Sequence, residues 1–177
     1  MKRRFYRTYS LLLAMGCMIM CLTACNDEDD VLAIFNDTTW KMTRLNNEGN
    51  NDQFLLGIWQ NGSTIDNDAY KASMENLKKE DCFLVRFINF SDTNDIISGT
   101  MEVTGIKAKF TTKVRIDASS RTITMDRANV SGSETDKLAA RFISGMSKVN
   151  SYTGDTHSLT LYYQDGQATM LIGFTPQ

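Results

Sequence analysis

The sequence predicts an α+β fold: a small antiparallel, β-rich domain, a curved sheet or partial barrel, with one amphipathic helix before the final β-hairpin. Three observations predict it. Apolar and polar residues alternate in one short segment after another along the chain, the period of a half-buried strand. Late in the chain the apolar spacing changes to that of a helix. The last two alternating runs are separated by Asp165-Gly166, a pair that favours a tight type I′ hairpin because glycine accepts a positive φ.

The chain opens on a different kind of segment. Residues 1–7 carry four basic side chains and no acid, and residues 11–21 are apolar apart from Gly16. A basic start followed by an apolar stretch of about 7–15 residues is the pattern of a secretory signal. The stretch is too short for a spanning helix, which needs about 20 apolar residues. It ends at Leu22-Thr23-Ala24-Cys25. That tetrapeptide resembles the lipobox of bacterial lipoproteins. The resemblance implies cleavage before Cys25, a diacylglyceryl thioether on its sulfur and an acylated amino terminus such as a palmitoyl group. Two or three acyl chains hold a protein on a membrane far longer than one, at about 0.8 kcal/mol per buried methylene. Residues 1–24 therefore read as a signal peptide.

Residues 25–36 read as a lipidated cysteine and a tether. The run Asn26-Asp27-Glu28-Asp29-Asp30 reads as a solvated spacer. It also resembles the acidic export signal of Bacteroidetes-type lipoproteins, which implies an outer-membrane protein on the cell surface rather than the periplasmic face. Removing residues 1–24 takes four of the 19 basic residues and none of the 21 acidic ones. The remainder carries six more acids than bases, which argues against nucleic acid and anionic lipid as partners. Cys82 becomes the one remaining thiol, so no intramolecular disulfide is expected. Its apolar neighbours Phe83, Leu84 and Val85 mark it as a small buried hydrophobe.

Residues 37–177 form the single predicted domain. Trp40 and Met42 share one face of a first strand. Phe83, Val85 and Phe87 lie on a second, followed by strands at Met101 and Val103, at Ile106, Ala108 and Phe110, at Val114 and Ile116, and at Ile123 and Met125. Leu159, Leu161 and Tyr163 face Met170, Ile172 and Phe174 across the Asp165-Gly166 turn. Two segments read as helix. Residues 68–79 place Tyr70, Met74 and Leu77 on one face. Residues 133–149 carry the stripe Leu138, Phe142, Met146 and Val149, with Ser133 as cap. This order of elements resembles the META domain of secreted bacterial lipoproteins. The likeness rests on the tryptophan strand at Thr39-Trp40-Lys41-Met42, a Ser-Gly turn at Ser98-Gly99, a late helix from Glu134 to Phe142, and a closing strand pair ending at Phe174. The Gly-Cys-Asn and Thr-x-Met-x-Cys segments of that family are absent; Asp126 stands where the latter has cysteine. The resemblance supplies no catalytic residues.

Little catalytic chemistry is legible. His157 is the one histidine, and no Gly-x-Ser-x-Gly elbow presents a serine to it. One histidine and one thiol fall short of a zinc ligand set. Asp66-Asn67-Asp68 and Asp92-Thr93-Asn94-Asp95 lack EF-hand spacing and read as turns. No cofactor motif or phosphate-binding glycine loop is present. Phe54-Leu55-Leu56-Gly57-Ile58-Trp59 follows a polar loop without clean alternation. It reads as a buried strand or core lid, or as an exposed aromatic patch in which Phe54 and Trp59 bind a partner or stack on a glycan. The function expected is a lipid-anchored, non-catalytic binding domain for an envelope protein or glycan. The alternative is a carboxylate-dependent hydrolase of envelope or dietary glycans, which needs two carboxylates about 5–10 Å apart in a cleft.

Overall fold

The computed structural model describes residues 27–93 and 96–177. The expected signal peptide and Cys25 lie outside the described residues. In chain order the elements are α1 (Asp27–Phe35), β1 (Thr39–Asn47), a 3-10 turn (Leu56–Trp59), the short hairpin β2 (Gln60–Asn61) and β3 (Thr64–Ile65), α2 (Asn67–Leu77), β4 (Leu84–Thr93), β5 (Ile96–Thr104), β6 (Lys109–Asp117), β7 (Thr122–Met125), α3 (Lys137–Met146), β8 (Val149–Gly154), β9 (Leu159–Asp165) and β10 (Ala168–Pro176).

Eight strands close a barrel in the order β1-β10-β9-β8-β7-β6-β5-β4. The partial barrel expected from the sequence is thus complete. The closing strand is β1, which pairs antiparallel with β10 along most of its length and with β4 through Thr39, Trp40 and Lys41. An eight-stranded barrel is just wide enough for its own side chains to fill. Trp40, Phe87, Met101, Val114, Leu161 and Ile172 do so, and all are buried.

Helices close both ends. At the end carrying the β6–β7 and β8–β9 turns, α1 inserts Phe35 against Phe87, Tyr152 and Phe90 at ring-centroid distances of 4.7, 4.9 and 5.9 Å. The Trp40 indole N–H donates to the Ile34 carbonyl at 3.2 Å, tying α1 to β1. At the other end α3 buries Leu138, Ala139, Phe142 and Met146 completely. Phe142 packs on Phe83 and Phe174, at 5.7 and 6.3 Å. A methyl at Gly145 would stand 2.8 Å from the Tyr163 ring, so α3 seats at this depth because residue 145 has no side chain.

Several expectations are corrected. Residues 27–35 are helix rather than spacer, and Val31, Ile34 and Phe35 are in the core, so the folded domain begins before residue 37. The spacing 31, 34, 35 gives the helix a buried face. The described residues contain three α-helices: α2 and α3 fall on the two segments read as helix, and α1 is additional to them. The late helix starts at Lys137, capped by the Asp136 carboxylate on the Ala139 N–H at 2.9 Å, rather than at Ser133. It ends at Met146, and Val149 opens β8, so three strands follow it instead of two. A bulge between Val149 and Ser151 breaks the alternation of β8. It leaves Val149 and Tyr152 buried three residues apart, a spacing that imitates a helix. Ser98 and Gly99 lie inside β5, not in a turn. The final hairpin turns on Gly166 and Gln167, with Asp165 paired to Ala168. Only Gly166 has positive φ there, which fits a type II′ turn in place of I′.

Candidate functional site

The residues proposed for partner binding are inside the protein. Trp59 is fully buried and Phe54 nearly so. The Trp59 ring lies edge-on to Tyr70 at 4.8 Å and to Phe54 at 6.3 Å, and its N–H donates to the buried Ser73 hydroxyl at 2.9 Å. The segment is a lid joining α2 and α3 over one barrel end. The exposed aromatic patch is therefore corrected to core: an indole whose one donor already has a partner gains more from packing than from water.

The other chemically suggestive residues serve turns and caps. Asp66 caps α2 through the Ala69 N–H at 2.9 Å. Asp155 accepts from the N–H groups of His157 and Ser158 at 2.7 and 2.9 Å, and those bonds hold its carboxyl below the usual range. His157 stands in solvent, with its ring nitrogen 3.9 Å from Asp155. Cys82 is buried, and burial pushes its thiol up. Among the described residues no group of three His, Cys, Asp or Glu side chains converges to hold a metal, and no helix is long and apolar enough to cross a membrane.

With the interior filled, the open surfaces lie outside the barrel. A cleft of about 240 Å³ separates Val31, Ala33 and Ile34 of α1 from Arg121, Tyr152 and Thr156 in the facing turns. A groove of about 580 Å³ runs between the 3-10 turn and α3, with Leu55, Gly57 and Ile58 on one wall and Ala140, Arg141 and Ser144 on the other. Its cations are already answered: Lys137 lies 3.9 Å from Asp66, and Arg141 pairs with Asp165. That pairing draws the Asp165 carboxyl down. A third hollow, of about 340 Å³, opens on the outer face of β4, β5 and β6 and is lined by Asn89, Ser91, Ser98, Thr100, Lys113 and Arg115. Sequence reading missed all three, because each draws residues from segments far apart in the chain. None of them is lined by two carboxylates.

A family model described as a domain of unknown function, DUF4847, matches residues 26–176. The chain belongs to the DUF4847 family. The matched region starts at α1, in agreement with a domain that includes this helix. Among solved structures the chain is similar to a DUF4847 family protein from Bacteroides vulgatus ATCC 8482. The two are 18% identical, the match covers 82% of this chain and 96% of that one, and the TM-score is 0.55. At that identity the likeness concerns the fold alone. No curated protein matches the chain.

Proposed function

We propose that this DUF4847 protein is a lipid-anchored, non-catalytic binding domain of the outer membrane, presented on the cell surface, that holds an envelope protein or glycan on its outer wall. One observation carries the reading: among the described residues the barrel is filled by its own side chains and closed at both ends by α1 and α3, which leaves the hollows on its outside. Its hollows are external: the α3 groove is walled largely by apolar groups and the hollow on β4, β5 and β6 largely by polar ones.

The lipobox supplies the anchor. Only Asn26 separates Cys25 from the first residue of α1, and α1 is part of the fold. The lipid thus attaches close to the α1 end of the barrel instead of through a long tether. The α1 end faces the bilayer and the α3 end faces away. The acidic run plays two parts in this reading: first turn of a helix, and signal for export. The META-like order of elements belongs to the same proposal as a resemblance among small secreted lipoproteins.

The test uses intact cells. Cys25→Ala is expected to abolish palmitate labelling and release the protein from the membrane fraction. External protease is expected to degrade the wild-type protein without breaking the outer membrane, and cross-linking on live cells to recover an envelope partner. Membrane retention by the unlipidated variant would defeat the anchor. Protection from protease until the outer membrane is opened would defeat surface display. Turnover of an envelope glycan by the purified protein would favour the hydrolase.

A further inference from the structure

The hollow on β4, β5 and β6 differs from the rest of the surface in how it is built. Along β6 the residues Phe110, Thr112, Val114 and Ile116 face the core, while Lys109, Thr111, Lys113 and Arg115 face solvent. The register sets Arg115 beside Ser98 and Lys113 beside Thr100, with Ser91 on the far side of Ser98. Between Ile88 and Ser91 the ladder slips, and Asn89 adopts a left-handed backbone with φ of 56°. Bulges of this kind re-aim side chains, and asparagine is one of the few non-glycine residues that takes this backbone conformation readily. Here the bulge turns Phe90 inward onto Gly99, where an added methyl would lie 2.3 Å from the Phe90 ring. Asn89 and Ser91 are left facing outward together. Glycine, bulge and inward phenylalanine form one construction, and the hollow is its outer side.

The polar groups around it have no other employment. Among the described residues, the side chains of Asn89, Ser91, Ser98, Thr100 and Lys113 make no hydrogen bond or ion pair within the chain. Arg115 has one loose partner, Asp126 at 3.9 Å, with both side chains more than half exposed. In the α3 groove, by contrast, each cation faces a carboxylate. The hollow thus offers two cations, three hydroxyls and an amide to a ligand, and its volume sits at the small end of the range for ligand sites. It has no aromatic wall on which a neutral sugar would stack. Ile96, half exposed and two residues before Ser98 on the same face, supplies an apolar shoulder.

We infer that this hollow binds an acidic sugar residue of a polysaccharide. Lys113 and Arg115 pair with its carboxylate or sulfate, and Asn89, Ser91, Ser98 and Thr100 hydrogen-bond its hydroxyls. A guanidinium beside an ammonium suits a planar or tetrahedral oxyanion, and charge-assisted bonds supply the affinity that stacking would otherwise give. The inference rests on the binding-domain reading and names the partner class for it.

The test is titration calorimetry of the full lipidated protein in non-ionic detergent micelles. The probes are oligogalacturonate, heparin-derived oligosaccharides, neutral dextran oligosaccharides and vesicles containing anionic phospholipid. Binding is expected for at least one acidic oligosaccharide and not for dextran, and is expected to weaken as salt rises. The double variant K113Q/R115Q is expected to lose about tenfold or more in affinity with unchanged circular dichroism, since both side chains point to solvent. T100V is expected to lose severalfold without changing the salt dependence. The inference is overturned if neither acidic oligosaccharide binds, if K113Q/R115Q binds as wild type does, or if anionic vesicles compete better than the oligosaccharides. Should live-cell cross-linking recover the same partner from K113Q/R115Q as from wild type, the hollow is the wrong site and the binding-domain reading stands.

Discussion

The two ends of the barrel are closed by helices of different construction. At the α3 end the helix is capped by its own aspartate, buries four side chains completely, and lies beneath a second layer made by the 3-10 turn and α2. At the α1 end a short helix contributes Val31, Ile34 and Phe35, held by one aromatic cluster and the Trp40–Ile34 hydrogen bond. The turns differ in the same sense. The β6–β7 and β8–β9 turns at the α1 end satisfy themselves locally: Asp117 binds Ser119 and Ser120, and Asp155 binds His157 and Ser158. The β5–β6 turn at the α3 end is held from a distance. One oxygen of Glu134 accepts the N–H groups of Ile106, Lys107 and Ala108 at 2.7–2.8 Å. One end is integral to the core and the other is an attached plug.

The largest expected effect separates the two plugs. Phe142→Ala leaves a cavity between Phe83 and Phe174 that the covered helix cannot collapse into, and is expected to cost about 3–5 kcal/mol and to lower the melting temperature of the whole domain. Phe35→Ala removes as large a ring, but α1 can withdraw as a unit. It is expected to cost less globally and to raise amide exchange mainly in 27–37 and at Tyr152. Equal global losses, or protection of 27–37 in Phe35→Ala, would erase the distinction between core and plug.

A smaller effect tests the long-range tie. Glu134→Ala strands three backbone donors of the β5–β6 turn. Two of these donors, on Ile106 and Ala108, are at least half-buried; loss of a charged acceptor for such groups costs about 1–3 kcal/mol, so denaturant melting is expected to show a loss in that range. The Glu134 oxygen also fills the space beside Gly105, where a methyl would lie 2.3 Å from it. Gly105→Ala is therefore expected to resemble Glu134→Ala in wild type and to add little on top of it. Strict additivity of the two would mean that they do not share this contact.

What was legible from sequence follows from the physics of each element. Strands with clean alternation, such as β6 and β9, declared themselves because one face is core and the other solvent. Closure of the barrel did not, since nothing local to β1 shows that it pairs on both edges. The acidic run at residues 27–30 reads as spacer when charge alone is weighed; the apolar residues 31–35 after it make it the start of a helix. For Trp59 the sequence offered both a buried lid and an exposed patch; what decides for the lid, the Ser73 hydroxyl that takes its N–H, lies on another element. The hollow at Lys113 and Arg115 rests on the bulge at Asn89 and the absence of a side chain at Gly99. Neither has a sequence signature that distinguishes it from an ordinary strand.

The smallest effect concerns the local ties of the α1 end and their dependence on pH. The Asp117 carboxylate accepts from the Ser119 hydroxyl and then from the N–H and hydroxyl of Ser120, which lowers its pKa to about 2. In the unfolded chain an aspartate titrates near 3.9, an approximate reference value. A folded value below the unfolded one means the contribution is complete above about pH 4 and is lost as pH falls toward about 2. The group is exposed, so the change is expected in the turn and not in global stability. Carbon-detected NMR titration of the side-chain carboxyl is expected to place the Asp117 midpoint well below that of an ordinary aspartate. Ser119→Ala is expected to move it back up, since that hydroxyl is the largest cause of the shift. The Glu134 tie at the other end is expected to be untouched by Ser119→Ala, and chemical-shift changes spreading to 105–108 would show that the two ends are coupled through β6 and not built independently.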